Sequence, residues 1–215
     1  MKRLLHIEAS PRGERSRSGA VGQHLLTRLR ADDAALTIER LNLWKPELPP
    51  FDGSVIEGRY RLLMGEAVPA EQAARWASVR RIAEHFLSFD AWLFTVPMWN
   101  FGVPYKLKQY VDLVTHPGMT FRNDALGNVE GLAAGRTAIV VAASAMDFNI
   151  GSPHAHLDHQ FGYLQAWLGF IGVTDIRPLH VAPTFGAPDV VEAAMIAGCT
   201  AADVLADGFR AEAVR

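Results

Sequence analysis

The segment Leu4-Leu5-His6-Ile7-Glu8-Ala9-Ser10-Pro11-Arg12-Gly13-Glu14-Arg15-Ser16-Arg17-Ser18 decides the architecture. Its first six residues are short, mostly apolar and followed by a polar loop that contains glycine, the pattern of a buried strand. Beyond Ser18, the residues Val21, Leu25, Leu26 and Leu29 recur at the spacing of one helix face. Ser16 or Ser18 can start that helix, because a serine oxygen accepts from an N–H that the first turn leaves unpaired. Strand, polar loop and helix in this order open a parallel β-α-β arrangement.

The same alternation continues down the chain. Thr37 to Leu43 alternates apolar and polar residues, as a half-exposed strand does. Glu71 to Phe89 is predicted as an amphipathic helix with Trp76, Val79, Ala83, Phe86 and Leu87 inward, and Ala91 to Val96 as a nearly unbroken apolar strand. Pro104 stands where helices begin, and Leu107, Tyr110, Val111 and Val114 follow with helical spacing. Thr137 to Ala143 is a further apolar strand, His154 to Ile171 a helix, Thr174 to Val181 the last strand, and Pro188 to about Ala211 a closing helix. Trp44 to Pro69 contains Pro46, Pro49, Pro50 and Pro69, so an irregular connection is expected there, with a short helical turn at Tyr60 to Gly65. Connections of that length are often functional or interface-forming. Buried strands alternating with helices predict an α/β, three-layer fold: a five-stranded parallel sheet of order 2-1-3-4-5, in one domain over residues 1–215.

Composition narrows the function. A net charge of -2 argues against a nucleic-acid-binding surface, which normally carries a basic excess. The apolar stretch after Met1-Lys2-Arg3 is too short for a signal peptide, and no apolar run approaches the roughly 20 residues that span a bilayer. A single cysteine, Cys199, cannot form an internal disulfide, which fits a reducing compartment. The expectation is a cytoplasmic protein without nucleic-acid or membrane partners.

In an open parallel sheet, ligands bind beyond the carboxyl ends of the strands near the switch point. Three loops lie there. The first, Ser10 to Ser18, brings three hydroxyls, three arginines and a glycine to a helix N-terminus, whose free N–H groups and partial positive charge suit a phosphate. It lacks G-x-x-x-x-G-K-[ST] and G-x-G-x-x-G, which argues against a nucleoside triphosphate and a Rossmann-bound dinucleotide. The second, Pro97-Met98-Trp99-Asn100-Phe101-Gly102-Val103-Pro104, sets two aromatics and an amide just after a buried strand. Such aromatics either pack the face of a flat heteroaromatic ring while Asn100 and backbone amides bond its edge, or fill core or an oligomer interface. The third, Ala143-Ser144-Ala145-Met146-Asp147-Phe148-Asn149, has small residues that let backbone N–H groups approach a ligand.

At these residues the chain resembles the FMN-dependent NADH azoreductase / NADH:quinone oxidoreductase family. The serine-rich first loop is similar to the family's phosphate loop. Pro97-Met98-Trp99-Asn100-Phe101 is similar to its flavin motif, with Trp99 where a tyrosine is frequent. Leu107 to Val114, Gly118-Met119-Thr120-Phe121-Arg122, Glu130-Gly131-Leu132 and Leu168 to Asp175 continue the likeness in the right order over nearly the whole chain. The resemblance implies a flavodoxin-like fold, non-covalent FMN, NADH or NADPH as electron donor, and a homodimer with two sites at the subunit interface. It implies that Ser10, Ser16, Arg17 and Ser18 hold the FMN phosphate and that Pro97, Met98, Trp99, Asn100 and Phe101 line the ring. Ala143, Ser144, Ala145 and Met146 align with the family's Ser-Arg-Gly-Gly-like turn, here without its glycines. Implied too is two-electron, ping-pong reduction of quinones and azo compounds on the flavin, with no catalytic side chain and no metal.

Two other readings compete. His154-Ala155-His156-Leu157-Asp158-His159 spells H-x-H-x-D-H, which resembles the motif of metallo-β-lactamase-like hydrolases. That fold carries the motif early and needs more ligands downstream, where only His180 follows, so a helix start is the simpler expectation. A flavodoxin-like electron carrier is the second, although such carriers tend to be strongly acidic. Trp44, Trp76, Trp92 and Trp167 are expected in core or interface, His85 and His116 at the surface or at helix ends, Arg75, Arg80 and Arg81 on a solvated helix face, and Cys199 away from any site.

Overall fold

The computed structural model describes residues 2–45 and 47–213; Pro46, expected to break regular structure, lies outside the described residues. Five parallel strands, β1 (Arg3–Glu8), β2 (Thr37–Asn42), β3 (Ala91–Pro97), β6 (Thr137–Ala143) and β7 (Asp175–Val181), form one sheet in the spatial order β2-β1-β3-β6-β7. Between β3 and β6 the chain inserts a small antiparallel hairpin, β4 (Phe121–Asn123) and β5 (Val129–Gly131). Leaving the hairpin aside, the sheet has the expected order 2-1-3-4-5.

Burial explains the layers. The central strands β1, β3 and β6 are buried on both faces, whereas the edge strands β2 and β7 are partly exposed. On one face, Leu4, Leu93, Ile139 and Val141 pack against α1 (Arg17–Asp32) and α6 (Pro188–Ala213). On the other, Leu5, Ile7, Phe94 and Val140 pack against α3 (Ala70–Leu87), α4 (Tyr105–Val114) and α5 (Phe161–Phe170). Trp92 stacks on Phe86 with centroids 4.3 Å apart and donates through its ring nitrogen to the Phe86 carbonyl. Trp76, Trp92 and Trp167 are core residues, as expected. Cys199 packs, partly buried, against the core on the face of α1 and α6.

The stretch expected to be irregular contains a full helix, α2 (Gly53–Leu63). The Asp52 carboxylate caps it, accepting from the Ser54 and Val55 N–H groups at 3.0 and 3.2 Å. Gly58, which weakens the helical signal, is where α2 meets α3: a Cβ there would sit 3.2 Å from the Gln72 Cβ. The expected helix from His154 also changes. Its first part is turns and a single 3₁₀ turn over Ala155–Leu157, and α5 starts only at Phe161. His116 does stand at a helix end, just past α4, but it is buried between Phe51 and Trp76 rather than exposed. His85 does end α3, where it pairs with Glu39 at 2.7 Å. Arg75 on the solvated face pairs with Asp52 and Glu71.

The hairpin is tied to the body by glycines. A Cβ on Gly131 would collide with the Gly172 nitrogen and the Ile171 carbonyl carbon, and Ala133 N–H donates to the Ile171 carbonyl at 2.8 Å. Gly172 itself has φ +97°, the left-handed region that glycine enters freely. Gly131→Ala forces backbone against backbone and is expected to cost about 3 kcal/mol of stability, read as a lower urea midpoint.

Neither ring nitrogen of His116 makes a hydrogen bond. Burial first, and then the Arg59 charge, push its pKa down to about 4, against the Leu113 carbonyl and Asp112. As pH falls from about 6.5 to about 4 the unfolded chain takes up a proton that the folded site refuses, so stability drops across that window and is level above it. The expected loss is on the order of 3 kcal/mol for such a histidine. Comparing urea midpoints at neutral pH and inside the acid window should show a smaller loss in His116→Leu than in the wild type.

Candidate functional site

Three loops leave the carboxyl ends of β1, β3 and β6 and come together along one edge of the sheet. The first is placed by α1. Ser16 is its N-cap: the side-chain oxygen accepts from Gly19 N–H at 3.0 Å, and Ser18 Oγ lies 3.2 Å from Ser16 Oγ. A single 3₁₀ turn at Gly13–Arg15 leads into this cap, with Gly13 at φ +54°. Ser10, Ser16 and Ser18 are all buried, so their hydroxyls are fixed rather than waving in solvent. The first-turn N–H groups of Arg17 and Ser18 have no partner within the helix. α1 can lie this close because Gly22 meets Thr95 of β3, where a Cβ would clash with the threonine methyl. Thr95 Oγ1 is in turn bonded to His6 Nε2 at 3.0 Å. Burial holds His6 down to about pKa 4, partly opposed by Glu8, so it is a neutral floor beneath the loop.

A cradle of fixed hydroxyls at a helix N-terminus has the chemistry of a phosphate site. Gly19 belongs to it, since a Cβ there would press on Ser16 Cβ and Oγ at 3.0 and 3.1 Å. A cleft of about 510 Å³ opens beside the loop, lined in part by Ser10, Ser16, Gly19, Arg40 and Asn42.

The second loop is a tight two-residue turn. Trp99 and Gly102 exchange backbone hydrogen bonds at 2.9 and 3.0 Å, and Asn100 and Phe101 between them have φ +47° and +70°. Non-glycine residues in this region carry strain of about 1–3 kcal/mol each and gather at functional sites. The turn is anchored: Met98 N–H donates to the Ala143 carbonyl at 2.7 Å and His159 N–H to the Phe101 carbonyl at 3.0 Å. Trp99 and Phe101 are 37 and 41% exposed, so neither is spent on the core. Trp99 leans on Trp44 and Tyr105, with centroids 5.8 and 6.3 Å away, and Trp44 is itself pinned through its ring nitrogen to the Ala9 carbonyl at 3.0 Å.

The third loop is bonded to β7. Ser144 N–H donates to the Val181 carbonyl, and the Ser144 carbonyl accepts from Thr184 N–H and hydroxyl at 2.9 and 3.0 Å. Its hydroxyl donates to the Met146 carbonyl at 2.7 Å. Neither Ala145 nor Met146 adopts positive φ, which is why this turn does without glycine. Phe148, buried, touches Phe101 across the gap at 6.1 Å.

The structure therefore gathers Ser10, Ser16, Arg17 and Ser18 at one end of the edge, and Pro97 to Phe101 with Ala143 to Met146 at the other. The sequence reading placed Trp44 in core or interface without linking it to the second loop, named Phe148 only as part of the third loop, and left Tyr105 out. Trp44 is distant in sequence and carried no local signal; Tyr105, one residue past Pro104, is an aromatic at a helix start that could have been noticed.

His154, His156, Asp158 and His159 form no metal cluster. Among the described residues no group of three or more His, Cys, Asp or Glu could hold a metal ion. Asp158 Oδ1 accepts from Gln160 and Phe161 N–H, both at 2.9 Å, and so caps α5. Among the described residues no helix is long and apolar enough to cross a membrane.

Comparison with known proteins agrees with this picture. A family model described as a flavodoxin-like fold matches residues 2–202. The FMN-dependent NADH:quinone oxidoreductase of Desulfotalea psychrophila is 37% identical over 184 residues, covering 86% of each chain. The crystal structure of an azoreductase from Bacillus anthracis superposes with a TM-score of 0.88 at 25% identity, covering 97% of this chain and 100% of the other. A second B. anthracis structure, an FMN-dependent NADH-azoreductase in complex with FMN, gives 0.83 at 25% identity over 96 and 100% of the two chains.

The left-handed turn at Asn100 and Phe101, the aromatic wall of the site, is open to a direct test. Asn100→Val places a β-branched residue at positive φ and is expected to destabilise the apoprotein by about 1–2 kcal/mol, whereas Asn100→Gly leaves it nearly unchanged. Urea unfolding of the three proteins makes the comparison.

Proposed function

This chain belongs to the flavodoxin-like family that contains the FMN-dependent NADH:quinone oxidoreductases, and from that premise we propose that it is an FMN-dependent NAD(P)H oxidoreductase acting on quinones and azo compounds. The observation that carries the proposal is the pairing, along one sheet edge, of a buried-serine helix N-terminus with a left-handed aromatic turn. The first suits a phosphate and the second a flat ring. The relatives' names supply FMN as cofactor, NADH as donor, and quinones or azo compounds as acceptors.

In this reading Ser10, Ser16 and Ser18 donate their hydroxyls to the phosphate, and the free N–H groups of Arg17 and Ser18 join them. The Arg17 side chain, exposed at the first helical position, neutralises the added charge. Pro97, Met98, Trp99, Asn100 and Phe101 would pack and edge-bond the ring, and the turn of Ala143, Ser144, Ala145 and Met146 would line its other edge, with Ala145 and Met146 rather than Ser144 offering backbone N–H groups, because the Ser144 N–H is spent on the Val181 carbonyl. FMN held there would supply two-electron chemistry between a nicotinamide donor and a quinone or azo acceptor. The chain's part is to hold, orient and polarise, through oriented N–H groups that need no reorganisation as negative charge develops. No side chain is required as nucleophile or general base.

We propose further a homodimer with the sites at its interface, in the cytoplasm, with residues 1–215 as one domain. The exposed Trp99, Phe101, Tyr105, Ile150 and Phe185 support the dimer, because a cluster of bare apolar side chains around a site needs cover. The single cysteine fits a reducing compartment.

Purified protein should bind FMN, and NADH added alone under anaerobic conditions should bleach the visible flavin band. Protein that takes up no FMN at saturating dose removes the reading. Ser16→Ala with Ser18→Ala should weaken FMN by roughly 10- to 100-fold while changing riboflavin little, since only FMN carries the phosphate. Equal losses for the two ligands count against the serine assignment.

A further inference from the structure

Gln160 is the buried polar side chain that joins the aromatic wall to the start of α5. It is 1% exposed, and its Nε2 donates to the Val96 carbonyl at 3.1 Å, 64 residues away in sequence. The residue before it, His159, donates its backbone N–H to the Phe101 carbonyl at 3.0 Å. Two consecutive residues thus hold both ends of the segment Val96 to Phe101. Gln160 is in turn set by Asp158, whose Oδ1 accepts from the N–H groups of Gln160 and Phe161 and so fixes the entry of the chain into α5. Gln160 also lies at the seam between the second and third loops, next to Met98, Ser144 and Phe148.

The strain of the wall needs such a brace. Asn100 and Phe101 sit in left-handed backbone that non-glycine residues avoid, and a conformation of that kind persists only where its surroundings over-determine it. Without the bond from Gln160, the Val96 carbonyl loses a buried partner at the point where the strand gives way to the turn.

We propose that Gln160, oriented by Asp158, is a positioning residue for the ring-binding wall: it touches no ligand, and it sets how tightly and in what pose the flat ring is held. The segment Asp158-His159-Gln160, part of which reads as a metal motif, is a brace for the wall. The inference rests on the FMN reading above and deepens it.

Its signature differs from that of the phosphate loop. Because the brace acts on the ring end, Gln160→Leu weakens FMN and riboflavin alike, by about tenfold, the usual worth of one buried hydrogen bond. The NADH-dependent reduction rate falls in the FMN-saturated variant as well, since the ring pose is loosened. Gln160→Glu provides the discriminating experiment. Its carboxyl donates to the Val96 carbonyl only when protonated, and burial beside a carbonyl oxygen raises its pKa. Binding of both flavins to Gln160→Glu is therefore near wild type at mildly acid pH and weak at mildly alkaline pH. Asp147, Asp158 and His180 around this position, and His159 beside it in sequence, are common to both proteins, so wild type measured over the same pH range is the control.

Dissociation constants for FMN and riboflavin, by quenching of flavin fluorescence in apoprotein, read the effect without turnover. A parallel, pH-reversible loss of both ligands in Gln160→Glu supports the brace. FMN and riboflavin affinities equal to wild type at every pH overturn it, and so does a loss confined to FMN. Wild type that binds neither ligand refutes the FMN reading instead, so the two failures are separate. Should Gln160→Leu not fold, judged by its urea midpoint, the Gln160→Glu pH series decides.

Discussion

β1 and β3 lie side by side at the centre of a parallel sheet, and their connections leave toward opposite faces. α1 follows β1 onto the face it shares with α6, whereas the turn after β3 leads to α4 on the face it shares with α3 and α5. A crevice opens where they part, and a ligand at the strand ends meets a loop from each side. Leu4, Leu5, Ile7, Leu93, Phe94 and Val96 are fully buried, each worth about 1.5–3 kcal/mol relative to exposure, so neither strand can slide and the crevice has rigid walls.

That rigidity is what allows local cost at the site. Asn100 and Phe101 occupy unfavourable backbone, and Trp99 and Phe101 leave apolar surface uncovered. Ser10, Ser16 and Ser18 bury hydroxyls with few protein partners. Each departs from what stability alone favours, and each sits at a strand end where the sheet, α1 or α5 holds it. The two buried histidines are a separate matter. Both are kept neutral by burial, His6 beneath the first loop and His116 among the rings of Phe51 and Trp76, and both make the folded state sensitive to acid.

Much of the fold was legible, and the exceptions have physical causes. The strands announced themselves because strands buried on two faces must be continuously apolar. α2 was hidden because Gly53, Gly58 and the flanking prolines lower helical propensity, while its support comes from the Asp52 cap and from docking on α3. The β4–β5 hairpin was missed since three-residue strands show no period; it depends on the Arg122–Glu130 pair and on the contact of Gly131 with Gly172. The helix expected from His154 kept its apolar spacing into the turns, and only the Asp158 side chain reveals where α5 begins. His116 misled because a polar residue just past a helix reads as exposed, and only the packed structure shows rings on both sides of it.

By itself the sequence determined the layer order, the five-strand sheet and the three loops at its edge, along with the serines and the aromatic turn that mark its two ends. Those follow from local composition and period, which are written in consecutive residues. Tertiary structure alone decided that Ser16 rather than Ser18 caps α1, that Trp44 and Tyr105 support Trp99, and that Gln160 reaches Val96. Contacts between residues tens of positions apart depend on where the sheet sets its strand ends, and no local pattern encodes them.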